Sequence, residues 1–97
     1  MIIARVIGSA VSTAKSERLR ARKLLIVQEA TPQNELMERS PFVAVDAAGA
    51  GEGELVLVAV GSAGRYTELT DLAPADATIV GILDSLEIEG RNTFEKR

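Results

Sequence analysis

Cysteine and histidine are both absent from the 97 residues, tryptophan is absent with them, and Phe42, Tyr66 and Phe94 are the only aromatics. Without cysteine there is no disulfide to supplement a small core, and without thiolate or imidazole the usual zinc ligand sets are excluded. The same two absences remove the thiolate nucleophile and the imidazole base on which most acyl transfer depends. Asp and Glu pairs remain as general acids or bases, but no pattern places a pair in a cleft, so the chain reads as a non-enzyme with no cofactor. Proteins that bind single-stranded nucleic acid stack bases on aromatic side chains inside a basic groove. Three aromatics and a net charge of −3 equip this chain poorly for that work, and the charge gives no footprint for an anionic membrane either. No apolar run approaches the ~18 residues that span a bilayer. Met1-Ile2-Ile3-Ala4 is interrupted by Arg5 and has no basic region before it, so the expectation is a cytoplasmic, unexported protein.

What the chain has is aliphatic: hydrophobic residues make up 46% of it, almost all Ile, Leu, Val and Ala. Residues 2–11, rich in β-branched types, read as a first strand, residues 24–29 as a second, 42–45 as a third, 55–60 as a fourth and 78–88 as the longest. Gly81 inside the last indicates a bend or bulge. Pro32 and Pro41 punctuate the connection between the second and third strands. Residues 12–23 carry five basic side chains, Lys15, Arg18, Arg20, Arg22 and Lys23, against one acid, Glu17. They read as a solvated loop. A short helix is expected near 62–69 with Ser62 as its N-cap. A parallel α/β arrangement fails for want of helices between strands. The fold class is therefore all-β, a five-stranded OB-like β-barrel with one short helix. Residues 1–88 form the barrel domain and 89–97, mostly polar, a C-terminal tail that is either anchored on an adjacent subunit through Phe94 or disordered.

Between the third and fourth strands Gly49, Gly51 and Gly53 alternate with Ala50 and Glu52. Three glycines in five residues make a tight, side-chain-poor corner. Asp46, Glu52 and Glu54 beside it raise a hard-metal reading, yet the alternating ligands of a calcium loop are missing, and no metal is expected. The phosphate reading fails too, because a dinucleotide fingerprint needs G-x-G-x-x-G running into a helix, whereas here a strand follows.

A strand with one wet face alternates apolar and polar side chains. The fourth strand does not: Leu55, Leu57 and Ala59 share one face and Val56, Val58 and Val60 the other. A barrel interior takes one face of each strand, so the second apolar face calls for a partner, and neighbouring copies of the chain are the expected one.

Lys23-Leu-Leu-Ile-Val27, Val43-Ala-Val-Asp46, Gly49-Ala-Gly51-x-Gly53-Glu-x-Val-Leu-Val58, Gly61-Ser-Ala-Gly-Arg65 and Asp76-Ala-x-Ile-Val-Gly-Ile82, in this order, resemble the EutN/CcmL family of bacterial microcompartment vertex proteins. The resemblance implies a cyclic homopentamer of OB-like barrels at the fivefold vertices of a polyhedral shell in the cytoplasm, filling gaps left by hexameric shell proteins. A closed ring gives each subunit two neighbours through one heterologous interface, which suits strands with two apolar faces. On this reading Gly49, Ala50 and Gly51 lie near the fivefold axis and narrow a central pore, while Ser62 and Arg65 face neighbouring shell tiles, Arg65 as a donor to carbonyls or carboxylates. The family's typical Gly-Ser-Ser-Ala-Arg stands here as Gly61-Ser62-Ala63-Gly64-Arg65, and Ala21 replaces the glycine usual in the basic loop. The alternative function is an OB-type nucleic-acid or ligand-binding module.

Overall fold

A computed structural model of the chain describes residues 1–11, 23–61 and 77–96. These carry seven strands: β1 (Ile2–Ala10), β2 (Leu24–Ala30), β3 (Phe42–Asp46), β4 (Leu55–Val60), β5 (Ala77–Ile82), β6 (Ser85–Ile88) and β7 (Arg91–Glu95). The first five close a barrel in the order β1-β2-β3-β5-β4, with β4 returning to pair with β1. All its neighbours are antiparallel except β3 and β5, which run parallel. This is the five-stranded OB-like barrel expected from the strand pattern. The helix expected near 62–69 and most of the basic loop lie outside the described residues.

Two bulges curve the barrel. The β1–β2 register shifts between Val6 and Gly8, leaving Ile7 unmatched. The β4–β5 register passes from Val58↔Ile79 to Leu57↔Gly81, leaving Val80 unmatched beside the glycine that marks the bend in the sequence. Inside, Ala4, Val6, Leu25, Val27, Ala44, Val56, Val58, Ala77 and Ile79 form the core, and Ala50 of the glycine loop joins them. The alternation β4 was expected to lack is resolved partly within the chain. Val56 and Val58 point into the barrel, yet Leu55 and Ala59, on the other face, are buried as well. The demand for a covering neighbour therefore narrows to residues such as Ile7, Val43 and Val80, which remain exposed.

The long strand expected over 78–88 is two strands. Leu83 still donates to the Leu55 carbonyl at 2.9 Å, after which the chain leaves the barrel at Asp84 and starts β6. Residues 91–95, within the polar segment expected as a tail, form β7 and pair antiparallel with β6. The reason is local. Glu89 and Gly90 have φ of 50° and 80°, the two left-handed positions of a type I′ hairpin turn, which reverses the chain between Ile88 and Arg91. The boundary expected after Ile88 thus falls in this turn. Leu86 faces Phe94 across the hairpin.

Candidate functional site

The glycine loop begins where the β2–β3 ladder ends. Asp46 N–H donates to the Lys23 carbonyl at 2.9 Å, and Ala47 N–H to the Ile79 carbonyl at 3.0 Å. The Asp46 carboxylate then turns back on its own backbone, Oδ1 accepting from Ala48 N–H and from Gly49 N–H, each at 3.0 Å. Aspartate forms such turns because its short side chain reaches the amides two and three residues on. Lys23 Nζ completes the corner, 3.7 Å from Asp46 Oδ2 and donating to the Ala50 carbonyl at 2.6 Å. Gly49, at φ 78°, takes the left-handed conformation that lets this turn be so short.

The far half of the loop is tied to β1 and to the C-terminal end. Gly53 N–H donates to the Val6 carbonyl at 2.8 Å and Val6 N–H to the Glu54 carbonyl at 2.9 Å. Glu54 Oε1 accepts from Gly51 N–H at 2.7 Å, and its Oε2 lies 2.7 Å from Lys96 Nζ. The hydrogen bond from Lys96, then that from the Gly51 amide, hold Glu54 below the ordinary carboxylate range, and Glu54 in turn raises Lys96. Arg5 donates to the Gly53 carbonyl at 2.8 Å and to Asn34 Oδ1, with its guanidinium carbon 5.8 Å from the centre of the Phe94 ring.

This arrangement shapes backbone; it does not gather reactive groups. Asp46 and Glu54, singled out in the sequence as candidate metal ligands, are engaged in two separate turns, Asp46 by two backbone amides and an ammonium and Glu54 by one amide and an ammonium, while Glu52 is exposed. Of the residues assigned to the fivefold axis, Gly49 is exposed and Gly51 half-buried, whereas the Ala50 methyl is fully buried in the barrel core. At 49–51 the loop therefore presents backbone, with Glu52 the next exposed side chain. Ser62 and Arg65 lie outside the described residues. Sequence reasoning passed over Arg5, Lys23 and Lys96 as braces of the loop. For Lys23 a signal existed, since the strand pairing sets it opposite Asp46; nothing local in the sequence announces Arg5 or Lys96.

The chain resembles proteins of bacterial microcompartment and carboxysome shells. The bacterial microcompartment shell vertex protein GrpN of Rhodospirillum rubrum is 42% identical over 87 residues, covering 90% of this chain and 97% of GrpN. The solved structure of the carboxysome subunit CcmL superposes with a TM-score of 0.90 at 41% identity, covering 100% of both chains. The structure of GrpN, a pentameric microcompartment shell protein from Rhodospirillum rubrum, superposes with a TM-score of 0.79 at 41% identity, covering 91% of this chain and 99% of that one. Residues 1–84 match the family described as ethanolamine utilisation protein EutN/carboxysome, and the chain therefore belongs to the EutN/CcmL family.

Proposed function

We propose that this chain is a vertex protein of a bacterial microcompartment shell, assembling as a homopentamer that caps the fivefold vertices of the polyhedron. The reading rests above all on full-length likeness, in sequence and in barrel, to shell proteins that include a pentameric one. It works in the cytoplasm, within the shell, as a structural component without catalysis or cofactor. A flat sheet of hexameric tiles closes into a polyhedron only where fivefold units replace sixfold ones, so its partners are hexameric shell proteins of the same compartment. The alternative of an OB-type nucleic-acid or ligand-binding module is not favoured, given the acidic charge and the scarcity of aromatics.

Within the ring, Gly49, Ala50 and Gly51 lie at the fivefold axis. The inward turn of the Ala50 methyl supports this, because it leaves no side chain exposed over 49–51, where five copies converge. Ser62 and Arg65 face the neighbouring tiles. The test is co-expression with hexameric shell proteins, followed by electron microscopy. Closed polyhedra carrying this chain at their corners, and open sheets or tubes without it, are the expected result. Equally frequent closed shells without it would refute the assignment.

A further inference from the structure

A loop with three glycines has little conformational preference of its own, so its shape must come from whatever grips it. The 46–49 half is gripped locally by Asp46. The 51–54 half pairs with Val6 of β1 and is gripped besides by two side chains that reach the C-terminal segment, one of which, Arg5, also holds Asn34. Glu54 splits its carboxylate, one oxygen on the Gly51 amide and the other on Lys96, which directly follows β7. Arg5 holds the Gly53 carbonyl while its guanidinium lies against Phe94 of β7. The strand is itself fastened to the rest of the molecule: Lys96 N–H donates to the Asp84 carbonyl at 2.7 Å, and the Thr93 hydroxyl donates to the Pro32 carbonyl at 2.5 Å.

We infer that the C-terminal segment sets the conformation of the far half of the glycine loop, with Glu54 and Arg5 as positioning residues and with Phe94 of β7 and Lys96 directly after it as their counterparts. Two braces, one ionic and one cation–π, converge from the same segment on adjacent residues of the loop, so displacing β7 releases both together. The coupling holds wherever the loop lies in an assembly. If the loop lines the fivefold axis, the position of β7 also governs the width of that opening.

Hydrogen exchange resolved to single amides, on the full chain in its native assembly, tests this directly. In Lys96→Met and in Glu54→Gln the Gly51 amide is expected to exchange roughly fivefold faster, the equilibrium worth of one hydrogen bond, while amides of β4 keep their rates. Lys96→Arg preserves the brace and is expected to exchange like the natural chain. Arg5→Met shifts exchange at Gly53 and its neighbours in the same direction. An unchanged Gly51 rate in Lys96→Met would overturn the inference. So would equal acceleration throughout the barrel, because that would make the C-terminal strand a contributor to global stability with no particular hold on the loop.

Discussion

Lys23 and Asp46 face each other at the end of the β2–β3 ladder, the ammonium 3.7 Å from a carboxylate whose side chain is 1% exposed. The carboxylate also caps two amides of the glycine loop, so a single buried side chain joins strand pairing to loop shape.

Replacing Asp46 by Ala takes the acceptor from both amides and the ionic partner from the ammonium, which keeps the Ala50 carbonyl and water. The expected cost is about 2–3 kcal/mol of subunit stability, visible as a lower urea midpoint with an unchanged slope. Lys23, whose side chain is 56% exposed, contributes less, and Lys23→Met costs under about 1 kcal/mol.

The loop glycines separate into two kinds. Gly53 sits at φ 89° with open space around a would-be Cβ, so Gly53→Ala suffers backbone strain alone, about 1–2 kcal/mol. Gly51 is not in the left-handed region, and an added Cβ would meet Glu54 Oε1 at an ordinary 3.5 Å. Gly51→Ala should therefore change subunit unfolding by no more than about 0.5 kcal/mol, yet weaken the ring if five copies crowd at the axis. Dissociation of the assembly on dilution, followed by native mass spectrometry, distinguishes the two effects; identical dissociation in variant and natural chain would place Gly51 away from the axis.

The Glu54–Lys96 pair carries a pH signature. Glu54 is depressed below its ordinary 4.5, chiefly by the Lys96 hydrogen bond, so its contribution is present above that value and is lost as pH falls through the lower, folded value. Lys96 is raised above its ordinary 10.5 by Glu54, so its contribution is present below that value and is lost as pH rises through the higher, folded one. The Gly51 amide chemical shift should hold steady between these limits and move outside them. Glu54→Gln should abolish the acid step.

Arg65→Ala tests the contact to neighbouring tiles. Pentamers should form as in the natural chain, while incorporation into shells falls. Loss of the pentamer itself would move Arg65 from the tile contact to the subunit interface.

The barrel was legible because its strands are β-branched, short and bounded by glycine and proline, and Gly81 marked a bulge that the register confirms at Val80. The C-terminal hairpin was not. Its turn is Glu89-Gly90, not the familiar Asn-Gly, and Arg91, Asn92 and Glu95 disguise a strand whose partner is only three residues upstream. The glycine loop could be read as a corner. The braces on its far half could not, because Arg5 and Lys96 stand at opposite ends of the chain and meet the loop only after the barrel closes. Ala50 shows the limit from the other side: its smallness is also required by the core of its own barrel, a constraint that composition does not reveal.

The mass of the native particle in solution tests the central claim most directly. Native mass spectrometry should find a closed species of five times the 10.3 kDa subunit. A stable monomer, or a ring of any other number, would contradict a chain built to cap fivefold vertices.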